Sequence, residues 1–189
     1  EITDDLLEIM NEEKICPYFD LPFQHASTTI LKPMGRTIKA GDALRLIEKI
    51  RNRVKGAVIR TSLIVGFPGE RLKEFSELKQ FVREARFEHL GVFTYSPEPG
   101  TRAFNLEETV SPAEKEARRQ ELMAIQKEIS RDFYRTFKGQ TLEVLLEDQE
   151  REQAEKGVLY GRARFQAPEV DGQVIVKDKK RLLAAGKKP

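Results

Sequence analysis

Gly66-Phe67-Pro68-Gly69-Glu70 directly follows the apolar run Ala57-Val58-Ile59-Arg60-Thr61-Ser62-Leu63-Ile64-Val65. Two glycines this close let a backbone turn sharply and approach a ligand. No Gly-Lys-Ser/Thr follows, so the segment is not a Walker loop, and it lacks the Rossmann spacing. It reads either as a ligand-contacting turn or as a plain tight turn between strand and helix. Arg60 lies inside the run, where a buried guanidinium needs an anionic partner. That anion is either an acid on a neighbouring helix or a ligand carboxylate. Gln24-His25 closes a second run, and Tyr95-Ser96 a third. Each pair suits contact with a bound molecule or local capping and packing. Glu70 reads as a cap of its own helix, where the dipole favours a carboxylate. One cysteine, Cys16, and two histidines, His25 and His89, fall short of an iron–sulfur or structural zinc ligand set. Cys16 at a strand start is expected to be a buried structural thiol, and His89 a surface histidine.

The elements that would position these residues follow from periodicity. Cys16 to Gln24 is a short aromatic run bounded by prolines and reads as a strand. Ser27 caps a short helix stopped near Gly35, and Ala40 to Val54 carries Leu44, Ile47 and Ile50 at helical spacing, ended by Gly56. Ala57 to Gly66 is β-branched and almost continuously apolar, as expected of a parallel strand covered on both faces. A helix from about Arg71 to Arg86 places Phe75, Leu78, Phe81 and Val82 on one side. Leu90 to Ser96 is the third strand. Strand–helix–strand–helix–strand with connections of this length predicts parallel pairing with right-handed crossovers. Ligands in such folds sit at the carboxyl ends of the strands, which puts Gln24, His25, the Gly66–Glu70 turn and Tyr95 on one rim.

Ser111-Pro112 opens a long helix to about Phe137, with Leu122, Ile125, Ile129 and Phe133 as its apolar stripe. Its Lys and Arg pairs, such as Arg118-Arg119, read as a solvated face, as does the acid-rich stretch from Glu1 to Asp20. After Gly139 the period becomes alternating. Thr141 to Glu147, Val158 to Phe165 and Val174 to Val176 are candidate strands of an all-β appendage. The predicted boundary is therefore 1–138 and 139–189.

The 189 residues carry 33 Lys and Arg against 31 Asp and Glu, a net charge of +2, which gives no global case for nucleic-acid binding. No apolar run approaches the ~18 residues of a membrane-spanning helix. A cytoplasmic monomer is expected. The chain opens on Glu1 rather than Met and is expected to be a piece of something longer.

Four segments occur in one order at one spacing. They are Asp20-Leu21-Pro22-Phe23-Gln24-His25-Ala26-Ser27; Ile30-Leu31-Lys32 with Met34-Gly35-Arg36; Arg60 through Glu70; and Phe93-Thr94-Tyr95-Ser96-Pro97-Glu98-Pro99-Gly100-Thr101. Together they resemble the radical S-adenosylmethionine methylthiotransferases. Gln24-His25 and Ala167-Pro168-Glu169-Val170-Asp171-Gly172 resemble the RimO branch, which modifies an aspartate of ribosomal protein S-twelve. The alternative is the MiaB-like branch, which modifies an adenosine in tRNA.

The resemblance implies an α/β fold: the C-terminal half of a partial (β/α) TIM-like radical SAM barrel, then a long helix and a small, incomplete TRAM-like β-barrel. It implies S-adenosyl-L-methionine and two 4Fe-4S clusters in the full-length enzyme. All six cluster cysteines of the family pattern would lie upstream of Glu1, so this chain alone would bind neither cluster and would be inactive. The implied chemistry takes hydrogen from the aspartate β-carbon and installs a methylthio group. The cofactor-binding candidates are Gln24, His25, Arg60, Ser62, Gly66 and Tyr95. Glu169 and Asp171 are candidates for partner contact, carried on a proline-stiffened loop. A non-catalytic substrate-binding module is the reading from another class.

Charge bears on the partner. Residues 138–176 hold eight acids and five bases, net −3, which fits a basic ribosomal protein better than RNA phosphates. Lys177 to Pro189 holds six bases and one acid, net +5, which works against that preference. The ending from Arg181 to Pro189 departs from the family's aromatic close and leaves closure of the barrel in question.

Overall fold

In the computed structural model, residues 2–147 and 157–177 are described. The chain divides into two compact units, Glu1–Lys138 and Gly139–Pro189. The first contains α1 (Asp4–Ile9), β1 (Tyr18–Asp20), α2 (Thr28–Leu31), α3 (Ala40–Arg53), β2 (Val58–Val65), α4 (Leu72–Ala85), β3 (His89–Thr94) and α5 (Pro112–Arg135). The strands form one parallel sheet in the order β1-β2-β3.

β1 is shorter than its aromatic run predicts, because Pro22 has no N–H to give the ladder. Thr61 repairs the gap. Its hydroxyl donates to Leu21 O at 2.7 Å and accepts from Phe23 N at 3.2 Å. The chain rejoins the ladder at Gln24, which bridges Leu63 in parallel.

β2 corrects the expectation of two covered faces. Ile59, Thr61, Leu63 and Val65 are fully buried, while Arg60, Ser62 and Ile64 are only half-buried. The buried face meets one core cluster that joins Ile47 and Ile50 of α3, Phe75, Leu78 and Phe81 of α4, and Leu122 and Ile129 of α5. Among the described residues the other face is covered only in part: Ile64 packs against Ile30, Phe67, Tyr95 and Ala103, while Phe93 of β3 is 56% exposed there. β-branched content therefore reported strand propensity and not burial on both sides.

Two of the helix starts follow from capping chemistry. Ser111 Oγ accepts Glu114 N at 3.2 Å, with Pro112 in the first turn. At α4 the cap is Arg71, and Glu74 accepts the Arg71 N–H at 3.0 Å. Glu70 is not the cap of that helix; its carboxylate turns inward. Ser27 stands at the α2 N-cap without a capping hydrogen bond, and its hydroxyl pairs with Thr29 Oγ1 instead.

Three further expectations are overturned. Cys16 is exposed, because it precedes Pro17 ahead of the ladder. His89 is buried, with its ring 5.9 Å from Tyr18 and 6.3 Å from Phe133. Arg118 is buried while its neighbour Arg119 stays on the surface with Glu116. The buried stripe of α5 is Lys115, Arg118, Leu122, Gln126 and Ile129, polar over its first half. That half crosses backbone carbonyls that need donors: Tyr95 O, Glu70 O and Phe87 O accept from Lys115, Arg118 and Gln126.

The second unit contains β4 (Leu145–Leu146), β5 (Val158–Arg162) and β6 (Val174–Lys177), antiparallel in the order β4-β5-β6. Of the expected strand from Thr141 to Glu147, only Leu145–Leu146 pairs. The ending from Arg181 to Pro189 lies outside the described residues.

Candidate functional site

A cavity of about 680 Å³ opens at the carboxyl end of the parallel sheet. Its apolar wall is Met34, Ile64, Phe67, Phe93 and Tyr95, and its polar groups include Gln24, Ser96, Glu98, Arg36 and Arg102. The wall is held by a small separate core of Ile30, Phe67, Tyr95 and Ala103. The Phe67 and Tyr95 rings meet edge-on at 5.0 Å, and the Tyr95 hydroxyl donates to Ala103 O at 2.9 Å. Burial, with the Glu108 charge second, pushes the Tyr95 phenol above its ordinary value near 10.

Gln24 reaches the cavity through an unusual backbone. Its φ is +69°, and His25 N–H closes a three-residue turn onto Phe23 O at 2.9 Å. A left-handed non-glycine residue costs of order 1–3 kcal/mol and needs a surrounding that over-determines it. Here the ladder does so: Gln24 N donates to Ser62 O at 2.9 Å, and Gln24 O accepts from Ile64 N at 2.8 Å. The turn faces Gln24 into the cavity and buries His25 behind it.

His25 is 1% exposed and does not line the cavity. Its Nδ1 accepts from Ser27 N at 2.9 Å, which leaves the proton of the neutral ring on Nε2. Nε2 lies 3.4 Å from Glu70 Oε2 without a hydrogen bond. The same Glu70 oxygen accepts from Gly66 N at 2.8 Å, and Oε1 accepts from Arg118 at 2.8 Å. Arg118 also donates to Glu114 at 2.9 Å. Burial works against the Arg118 charge, but bonds from Glu70 and Glu114 outweigh it and raise its pKa above the ordinary value.

Gly66 is likewise behind the wall. Its φ is +73°, and a Cβ there would collide with Lys115 Cγ and lie 2.9 Å from Cδ. Lys115 in turn donates to Tyr95 O at 3.0 Å and pairs with Glu108. α5 thus locks the turn after β2 and the end of β3 with two cations. Sequence periodicity missed this pair, since Lys and Arg on a helix read as solvent-facing. The one legible signal was the position of Glu70 beside a glycine turn.

Arg60 and Ser62 lie further down β2 on the cavity-side face. Arg60 pairs with Asp20, its register partner on β1, at 2.7 Å. The structure therefore brings Gln24 and Tyr95 into the cavity, continues their face through Ser62 and Arg60, and sets His25 and Gly66 behind it. In the second unit Glu169 is exposed with φ +67°, while Asp171 turns back to accept Ala167 N at 2.8 Å.

Residues 1–82 match the family model of the Radical SAM superfamily, and 139–188 match that of the TRAM domain. The chain is 48% identical over 183 residues to ribosomal protein uS12 methylthiotransferase RimO of Aquifex aeolicus (strain VF5), covering 96% of this chain and 42% of that protein. It is 45% identical over 182 residues to the protein of that name from Thermotoga maritima, covering 96% and 41%. The chain resembles the RimO methylthiotransferases along nearly all of its own length. It spans about two fifths of the length of the curated relatives it matches. Among solved structures it resembles the coproporphyrinogen III oxidase HemN of Escherichia coli, described as a radical SAM enzyme. The TM-score is 0.57 at 21% identity, over 68% of this chain and 30% of that one, a likeness of fold.

The cofactors of the radical SAM enzymes that the chain resembles can be tested against its own residues. The cavity fits S-adenosylmethionine: an apolar aromatic wall suits a flat heterocycle, and the Gln24 amide suits polar groups. Among the described residues no group of three or more His, Cys, Asp or Glu could hold a metal ion, and the sequence has one cysteine. Among the same residues no helix is long and apolar enough to cross a membrane.

Proposed function

We propose that this chain is part of a methylthiotransferase that adds a methylthio group to the β-carbon of an aspartate in ribosomal protein uS12. The observation that carries the reading is the aromatic-walled cavity at the carboxyl ends of β1–β3, in a chain whose relatives bear that name. Bound in this cavity, S-adenosylmethionine supplies the methyl group and the means of activating a carbon–hydrogen bond. The chain's own residues bind and orient. Gln24 offers an amide donor and acceptor from a strained turn, so its direction is fixed before the ligand arrives. Ile64, Phe67 and Tyr95 exclude water from one side of the ligand. The Tyr95 hydroxyl is spent on Ala103, so Tyr95 contributes its ring. Ser62 and Arg60 extend the same face towards the amino end of β2. His25 and Gly66 act from behind, by holding Glu70 and the turn that carries Phe67.

The partner reading rests on charge. The net −3 of residues 138–176 would speed encounter with a basic protein and select it, with a modest gain in affinity. Glu169 is the exposed carboxylate in that segment, and the substrate places the protein in the cytoplasm. The test is a pair of titrations of the chain, one with S-adenosylmethionine and one with purified uS12, each at low and high salt. Saturable binding of both is expected, with uS12 affinity falling as the screening length shrinks to ~8–10 Å. Preference for tRNA over uS12 would move the reading to the adenosine-modifying branch.

A further inference from the structure

Two arginines at the mouth of the cavity have no part in the ion pairs that hold the fold. Arg36 and Arg102 are both exposed, both line the cavity, and neither forms an ion pair among the described residues. Other guanidiniums of the first unit are engaged: Arg45 with Asp42, Arg51 with Glu88, Arg60 with Asp20, Arg118 with Glu70.

Their positions are built. After α2 the chain closes with Gly35 at φ +74°; Gly35 N donates to Lys32 O at 3.0 Å, and Arg36 N reaches back to Leu31 O at 2.9 Å. This is a helix-ending motif that requires the left-handed residue, and it delivers Arg36 at a fixed point on the rim. Arg102 comes from the loop after β3. Its neighbour Ala103 is buried and held by the Tyr95 hydroxyl, and Thr101 Oγ1 donates to Glu98 O at 2.8 Å. Arg102 approaches the Gly35 backbone, where a Cβ would lie 3.9 Å from its guanidinium nitrogen. Two elements distant in sequence thus contribute arginines to the lining of one cavity. Glu98 is the acid on the same wall, and it forms no ion pair with either among the described residues.

We propose that Arg36 and Arg102 form a carboxylate clamp at the cavity mouth. Two forked donors lining one opening suit the two oxygens of a carboxylate. The proposal rests on the methylthiotransferase reading, which offers two sources: the aminoacid carboxylate of S-adenosylmethionine and the side chain of the substrate aspartate. The exposure of both arginines favours the substrate aspartate.

The test titrates the unsubstituted chain, Arg36→Gln, Arg102→Gln and the surface control Arg45→Gln. The probes are S-adenosylmethionine, its decarboxylated form, uS12, and uS12 whose target aspartate is replaced by asparagine. Circular dichroism and melting confirm that each variant folds. Expected is a loss of uS12 affinity of about tenfold or more for Arg36→Gln and Arg102→Gln. The asparagine form should lose as much and show no further loss on the variants, while S-adenosylmethionine affinity stays within about twofold. Selective loss of S-adenosylmethionine binding, absent with the decarboxylated form, would assign the clamp to the cofactor and overturn the substrate assignment. If the unsubstituted chain binds both probes and the variants bind as well as Arg45→Gln does, the clamp is wrong and the methylthiotransferase reading stands. If the unsubstituted chain binds neither, the reading fails and the clamp with it.

Discussion

Replacing Arg118 by Met should be among the most damaging single changes in the first unit, although sequence places it on a charged helix face. The Arg118 side chain is 7% exposed and that of Glu70 is 0% exposed, at 2.8 Å. Met keeps much of the volume but leaves Glu70 buried with the Gly66 N–H and the proton-bearing Nε2 of a neutral His25 as its neighbours. It also frees Glu70 O, which accepts from Arg118 at 3.0 Å. Removing one partner of a buried pair costs about 3–5 kcal/mol, against a whole-domain stability of ~5–15 kcal/mol. Arg119, one residue on, pairs with Glu116 on the surface, and such pairs are worth ~0–1 kcal/mol. The assay is urea unfolding of Arg118→Met, Arg119→Met and the double variant Glu70→Gln/Arg118→Met, followed by circular dichroism at 222 nm. The double variant should recover part of the loss, because the orphaned charge is gone while an amide oxygen still serves Gly66. A cost for Arg118→Met no larger than that of Arg119→Met would refute the buried-pair reasoning. Hydrogen exchange at Gly66 should rise in Arg118→Met, since the carboxylate that holds this N–H loses its anchor.

Gly66→Ala should destabilise by ~2–4 kcal/mol, from a left-handed φ and a collision with Lys115; Gly69→Ala, with φ +86° and open space, should cost about half that or less. Thermal melts of the two side by side check it. Tyr95→Phe should cost about 1 kcal/mol by orphaning Ala103 O. The raised Tyr95 pKa also fixes a sign: its contribution is complete below pH ~10 and is lost as pH rises through the higher folded value. Absorbance titration should show a late-ionising tyrosine that is lost in Tyr95→Phe. Anaerobic treatment of the chain with iron and sulfide should yield no stoichiometric 4Fe-4S cluster, read by iron analysis and charge-transfer absorption; four irons per chain would contradict it.

The sequence by itself determined the order of strands and helices in the first unit, their parallel pairing, the change to antiparallel strands after Gly139 and the rim to which Gln24 and Tyr95 belong. Those follow from local periodicity, from capping residues such as Ser111, and from connection length, all of which act over a few residues. It also carried the family resemblance, through motifs spread over most of the chain. Tertiary structure alone decided which way each polar residue on the rim faces. Pro22 broke β1, Thr61 bridged the gap, and the resulting turn at Gln24 sent Gln24 into the cavity and His25 behind it. Burial of Lys115 and Arg118 was invisible because their partners, Tyr95 O and Glu70, lie 20 and 48 residues away. His89 and Cys16 exchanged their expected surroundings for the same reason. Burial is set by what packs against a residue, and a single chain position encodes that only through contacts distant in sequence.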